Sequence, residues 1–121
     1  MSIRRYQSAQ SLAETPQEIE LRVFGAVTGG LEAAGADVGR RADALYRNLR
    51  LWSMLQTDLT SPGNALPEPL KHSLLTLARF AQHYSYKAIG TEAPLAPLIA
   101  INRQMMEALS AQLASRRAVT G

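Results

Sequence analysis

Four apolar stripes constrain this chain more than any other feature of it, each repeating at the helical period and each ended by helix-breaking residues. At about 100° per residue, Ile19, Val23, Val27, Leu31 and Ala34 fall on one line with Phe24 on its shoulder, which predicts a helix over 16–34. Thr15-Pro16-Gln17-Glu18 opens it with a cap hydroxyl, a proline at the first helical position, where its missing N–H is not needed, and a glutamate at the third. Gly35 closes it. Val38, Ala42, Leu45, Leu49, Trp52, Leu55 and Leu59 predict a second helix over 38–59. Leu70, Leu74, Leu77, Ala81, Tyr84 and Ala88 predict a third over 67–89, and Leu95, Leu98, Ile99, Met105, Met106, Leu109 and Leu113 a fourth over 94–116.

The breaks Gly35-Ala36-Asp37, Ser61-Pro62-Gly63-Asn64 and Gly90 to Pro94 are turn-forming and short. No run of alternating β-branched residues offers a strand. The expectation is an all-α chain, one domain over 1–121. It would be a small helical bundle of about four helices, either up-and-down or with three helices in the core and one laid across them. Residues 1–14 have Ile3, Tyr6 and Leu12 but no sustained period, so they read as a partly ordered N-terminal arm, and 117–121 read as a frayed tail.

Cysteine is absent, which removes disulfides, thiolate metal sites and cysteine nucleophiles. Met1-Ser2-Ile3-Arg4-Arg5 has two arginines with no apolar stretch behind them, and nothing approaches the ~18 apolar residues of a membrane span. A cytoplasmic protein without a membrane partner is expected. The charge is +3, from 13 basic and 10 acidic residues, and the basic ones are scattered. Such a pattern fits a solvated surface better than a nucleic-acid face, so direct contact with nucleic acid is not expected.

The chemistry-bearing residues form no site. His72 and His83 are on the third predicted helix, roughly 16 Å apart by the helical rise, too far to share a metal ion unaided. No HExxH, GxSxG or GxxxxGK[ST] occurs. Gly29-Gly30 falls inside the first helix, where small residues permit close helix approach. Glu18, Glu20, Glu32, Asp37, Asp43 and Asp58 make no paired-carboxylate pattern. No enzyme activity, no cofactor and no metal is expected.

Three features stand out. Asn102 lies in the middle of the fourth stripe, and a buried amide costs free energy without partners. It should bond a loop carbonyl or another polar side chain and fix helix register, with a direct binding role as the alternative. Leu51 and Met54 lie about 100° or more from the centre of the second stripe, near Arg47, so they are either covered by the arm or exposed for a partner. Leu75 and Tyr86 lie off the third stripe in the same way. Arg47, Leu51, Met54, Leu75 and Tyr86 are the candidates for partner binding.

Tyr6 with Ala9-Gln10, Thr28, Asn48-Leu49-Arg50-Leu51-Trp52, Asp58, Ser61-Pro62-Gly63-Asn64-Ala65-Leu66-Pro67, Ile101-Asn102-Arg103, Met106 and Leu109 follow one another in an informative order and spacing. In these the chain resembles the FlaF family of bacterial flagellar biosynthesis regulators, from Tyr6 to Leu109. It departs from the family in Ala108, where glycine is frequent, in Met105, where isoleucine is, and in Leu49, which interrupts a more polar run. The motif positions are Asn48, Trp52, Asp58, Gly63, Asn64, Pro67, Asn102, Arg103 and Met106. The resemblance implies a protein that promotes flagellin production and export, working with flagellin and opposite or beside the translational regulator FlbT. The implied action is that of a binding chaperone or adaptor, since a helical protein with a spare apolar groove can receive an amphipathic segment as a helix. The alternative is a post-transcriptional regulator acting on flagellin mRNA together with FlbT, which basic clusters with exposed aromatics would support.

Overall fold

The computed structural model describes residues 14–120, with side chains as far as Ser115. Four helices follow in order: α1 (Pro16–Ala33), α2 (Val38–Leu59), α3 (Glu68–Ala88) and α4 (Ala96–Thr120). There is no strand among the described residues. The expected arm lies, except for Glu14, outside them. At the other end, the tail expected to fray over 117–121 is helical as far as Thr120.

Local chemistry sets the boundaries. The Thr15 hydroxyl accepts from the Glu18 N–H (3.2 Å) and Pro16 occupies the first turn, so α1 starts as its sequence dictates. The Asp37 carboxylate accepts from the Arg40 N–H (2.8 Å) to cap α2. Gly35 (φ 56°) and Gly90 (φ 78°) take the left-handed conformation just beyond α1 and α3, where a side chain would be strained.

The helices pack in a ring, α1 on α2, α2 on α3, α3 on α4 and α4 back on α1. The start of α1, the end of α2, the start of α3 and the latter half of α4 all line one cavity, so the four helices run alternately up and down. At the far end, the Arg41 guanidinium near the start of α2 donates to the carbonyls of Thr91 (3.3 Å) and Ala93 (2.5 Å), and the Tyr84 hydroxyl donates to that of Pro94 (2.6 Å). These bonds hold the α3–α4 loop on the bundle.

Trp52 fills the centre and is fully buried. Phe24 meets it edge to face, with ring centroids 5.5 Å apart at 86°. Leu31, Leu45, Leu98, Met105 and Leu109 belong to the same core cluster, while the buried residues of α3 are all small: Ala78, Ala81, Ser85 and Ala88.

The α1 stripe is rotated from expectation, and the α2 stripe loses its first member. On α1 the buried face is centred on Phe24, Thr28 and Leu31, and Ile19 and Val23 are exposed. The large ring of Phe24 takes the place beside Trp52, and the Thr28 hydroxyl satisfies itself on the Phe24 carbonyl (2.6 Å), so a polar residue can share the core face. Val38, expected on the core stripe, is 73% exposed at the first turn of α2.

Gly29 and Gly30 do not serve close helix approach. Both are exposed, and a Cβ on either would meet nothing within 4 Å. Each glycine therefore costs the helix its backbone entropy without a packing return. Gly29→Ala with Gly30→Ala should raise stability by about 0.5–1 kcal/mol per site in denaturant titration. A loss of stability would show that this face is covered.

Candidate functional site

A chain of hydrogen bonds crosses the core. The Trp52 indole Nε1–H donates to Asn102 Oδ1 (2.9 Å), Asn102 Nδ2 donates to Asn48 Oδ1 (2.8 Å), Asn48 Nδ2 to Ser85 Oγ (3.0 Å), and Ser85 Oγ to the Ala81 carbonyl (2.6 Å). All four side chains are fully buried. Among the described residues no buried side-chain nitrogen or oxygen lacks a partner. A satisfied network of this kind ties α2, α3 and α4 in one register. Asn48, Trp52 and Asn102 thus face one another, and the partners of Asn102 are side chains rather than a loop carbonyl.

Other motif residues build the α2–α3 corner. Asn64 Oδ1 accepts from the Leu66 N–H (3.1 Å), Asn64 Nδ2 reaches Asp58 Oδ2 (3.4 Å), and the Asn64 N–H donates to the Ser61 carbonyl (3.1 Å). With Gly63 exposed at its tip and Pro67 just before α3, this turn positions Leu66 at the bundle end. Arg103 pairs with Glu32 at 2.9 Å across α4 and α1, both side chains being well exposed. Met106 is half-buried, its Cε 3.5 Å from where a Cβ on Gly25 would stand.

The five residues singled out for partner binding are not brought together. Arg47 is exposed, pairs with Asp43 (3.2 Å) and borders a shallow cleft of about 240 Å³ between α1 and α2. Met54 is 67% exposed. Leu51, read as outside the core, is half-buried and packs against it, because α1 lies over that flank of α2. Leu75 (half-buried) and Tyr86 (67% exposed) flank Gln82. Since Gln82 bonds Ser53 (3.0 Å) and Gln56 (2.5 Å), these two lie on the α2–α3 seam, away from Arg47. Met54→Ser should therefore leave the melting temperature nearly unchanged. Leu51→Ser should cost about 1–2 kcal/mol in thermal denaturation, as expected for losing a partly buried leucine.

The more developed concavity is one that the stripes did not announce. A groove of about 450 Å³ opens at the end of the bundle where the chain enters α1. Its apolar wall consists of Leu55, Leu59, Leu66, Leu70, Leu74, Met105 and Leu109, and Gln17, Glu20, Asp58, Asn64, Ala108 and Gln112 complete it. Leu70 is 46% exposed and Leu55, Leu66 and Leu74 are half-buried, so this part of the apolar lining is open to solvent, over a floor of buried Leu59, Met105 and Leu109. The size is within the range of ligand-binding clefts, ~300–1,000 Å³. In sequence these leucines, except Leu66 in the loop before α3, are ordinary stripe residues, and only the Pro67-Glu68-Pro69 start of α3 hints that its first turn stands apart.

The groove is also acidic. Burial, with the charge of Asp58 as the second cause, pushes the Glu20 carboxyl above its ordinary value of 4.5. The folded state thus holds the Glu20 proton more tightly than the unfolded state. The resulting stability is present in full below about pH 4.5 and is lost as pH rises through the raised value. Glu20→Gln, which cannot ionise, should match the parent's melting temperature near pH 4 and exceed it at pH 7. An unchanged difference across that range would contradict the burial of this carboxyl. The ion pairs among the described residues, Arg22–Glu14, Arg47–Asp43, Lys71–Glu68 and Arg103–Glu32, involve neither Glu20 nor Asp58.

His72 and His83 are exposed, and no group of three metal-ligating side chains exists among the described residues. No described helix is long and apolar enough to cross a membrane. The sequence pattern of a family described as flagellar protein FlaF matches residues 2–109. The chain belongs to the FlaF family. No curated protein and no solved structure matches it. In FlaF terms, the match includes the arm from residue 2 and ends at Leu109 on the groove wall, so the groove lies within the family's common sequence except for Gln112.

Proposed function

We propose that this FlaF-family chain binds flagellin as a chaperone or adaptor and so promotes its synthesis and export. The observation that carries this reading is the leucine-lined groove, open at one end of a bundle in which no buried side-chain polar atom of the described residues lacks a partner. An amphipathic helix presents apolar anchors at i, i+3 or i+4 and i+7, the spacing that such a groove accommodates. Flagellin awaiting export has amphipathic terminal segments of this type, and shielding one would hold the subunit in an exportable form. FlbT remains a candidate second partner, and the cytosol is where such work would be done.

A second reading, direct action on flagellin mRNA, draws on the α2–α3 seam. Tyr46 and Arg50 precede Ser53 on its flank by two turns and one, and Arg79 and Tyr86 lie one turn either side of Gln82. All four are exposed, and neither arginine is in one of the described ion pairs. Two arginines supply few phosphate contacts, so RNA binding should be weak, without sequence preference, and lost between low and physiological salt. Gel filtration of the purified full-length chain with flagellin and, separately, with flagellin leader RNA decides between the readings. Co-elution with flagellin alone is expected, and salt-resistant co-elution with the leader RNA alone would favour the second.

A further inference from the structure

The groove pairs an apolar lining with two carboxylates, Glu20 and Asp58, that none of the described ion pairs reaches. Burial already disfavours the charge on Glu20, and the neighbouring Asp58 adds to the cost. An occupant that buried the leucines while bringing a cation would relieve both penalties at once. The chain itself carries such a segment. Residues 1–13, Met-Ser-Ile-Arg-Arg-Tyr-Gln-Ser-Ala-Gln-Ser-Leu-Ala, contain no acidic residue, two adjacent arginines, and the apolar side chains of Ile3, Tyr6 and Leu12.

Its attachment is favourable. The segment joins the described chain at Glu14, and the first groove residues, Gln17 and Glu20, follow within two turns of α1. The nine residues from Arg5 to Glu14 span about 30 Å when extended and roughly 13 Å as a helix. Either conformation reaches Glu20. A tethered segment competes at an effective concentration of about millimolar, far above that of a free partner. The family match begins at residue 2, so the arm belongs to the common FlaF sequence and is no appendage.

We propose that residues 1–13 occupy the groove when no partner is bound, with Arg4 and Arg5 set against Glu20 and Asp58. A flagellin segment then enters by displacing them, a step that rests on the flagellin reading above, whereas occupancy by the arm does not. The arm acts as a resident surrogate: it covers the leucines until a better-fitting helix arrives, and it lowers apparent affinity by the fraction of time that it is docked.

Because the sequence has no cysteine, Ser8→Cys gives a single labelling point on the full-length chain. A nitroxide there should broaden the amide resonances of Leu66, Leu70, Leu74 and Ala108. Arg4→Glu with Arg5→Glu should relieve that broadening, and so should Glu20→Gln with Asp58→Asn. Absence of broadening at these amides would overturn the proposal. So would broadening confined to the Met54 face, or broadening that arises only between a labelled and an unlabelled copy. In a parallel titration, the Arg4→Glu, Arg5→Glu chain should bind flagellin about threefold to tenfold more tightly than the parent. Equal affinity would overturn the displacement step. If flagellin binds neither chain, the flagellin reading fails, and the nitroxide result still decides whether the arm occupies the groove.

Discussion

Trp52→Ala should lower the stability of this domain by about 3–5 kcal/mol, the usual cost of emptying a large aromatic site in a packed core. The side chain is fully buried, receives the edge of Phe24 and donates its indole N–H to Asn102. The substitution thus removes packing, a ring contact worth about 0.5–1.5 kcal/mol, and the only hydrogen bond that Asn102 Oδ1 is seen to accept. For a domain of this size each kcal/mol shifts the melting temperature by about 4 °C, so a fall of about 12–20 °C is expected. Trp52→Phe should keep most of the packing and lose mainly the hydrogen bond. A Trp52→Ala chain that kept its melting temperature but lost flagellin would contradict the buried assignment.

Asn102→Leu should be nearly as damaging, although it makes the fourth stripe more uniformly apolar. Leucine leaves the Trp52 N–H without its acceptor and Asn48 Oδ1 without its donor, both in a site closed to water. Each stranded polar group costs about 1–3 kcal/mol, so a loss of about 2–6 kcal/mol is expected in denaturant titration. Coupling supplies the sharper check. Asn48→Val alone strands Asn102 Nδ2, and combining it with Asn102→Leu should cost less than the sum of the two, with a coupling of about 0.5–3 kcal/mol. Strict additivity would mean that the two amides do not act as one unit.

These two residues illustrate how much of the fold was legible. A lone asparagine in an apolar stripe announces that a partner exists, because an unpaired buried amide is too costly to retain. It does not say where the partner is. Asn48 was visible as part of a motif but not as that partner, because its position on α2 becomes informative only when α2 and α4 face each other across the core. The helices and their ends were legible from period, caps and breakers, since those are local. The facing of α1 was not. Ile19 and Val23 looked like core residues and Phe24 like a flank, and only the shape of the Trp52 site reverses them.

The groove escaped for a related reason. Leu55, Leu70 and Leu109 carry the same periodic signal as fully buried neighbours, and whether a stripe residue faces a filled interior or an open end depends on how four helices terminate together. By contrast, the apolar residues that stand off their stripes, Leu51, Met54, Leu75 and Tyr86, drew attention but are scattered over separate flanks or partly covered.

Leu70→Asp tests most directly whether the groove receives flagellin. Leu70 is exposed enough that the substitution should leave helical content and melting temperature close to the parent's, which circular dichroism verifies before binding is measured. Burying one leucine is worth about 1.5–3 kcal/mol, so calorimetric titration of the full-length chain with flagellin should show affinity reduced at least about tenfold. A folded Leu70→Asp chain that binds flagellin as tightly as the parent would contradict the groove as the binding site.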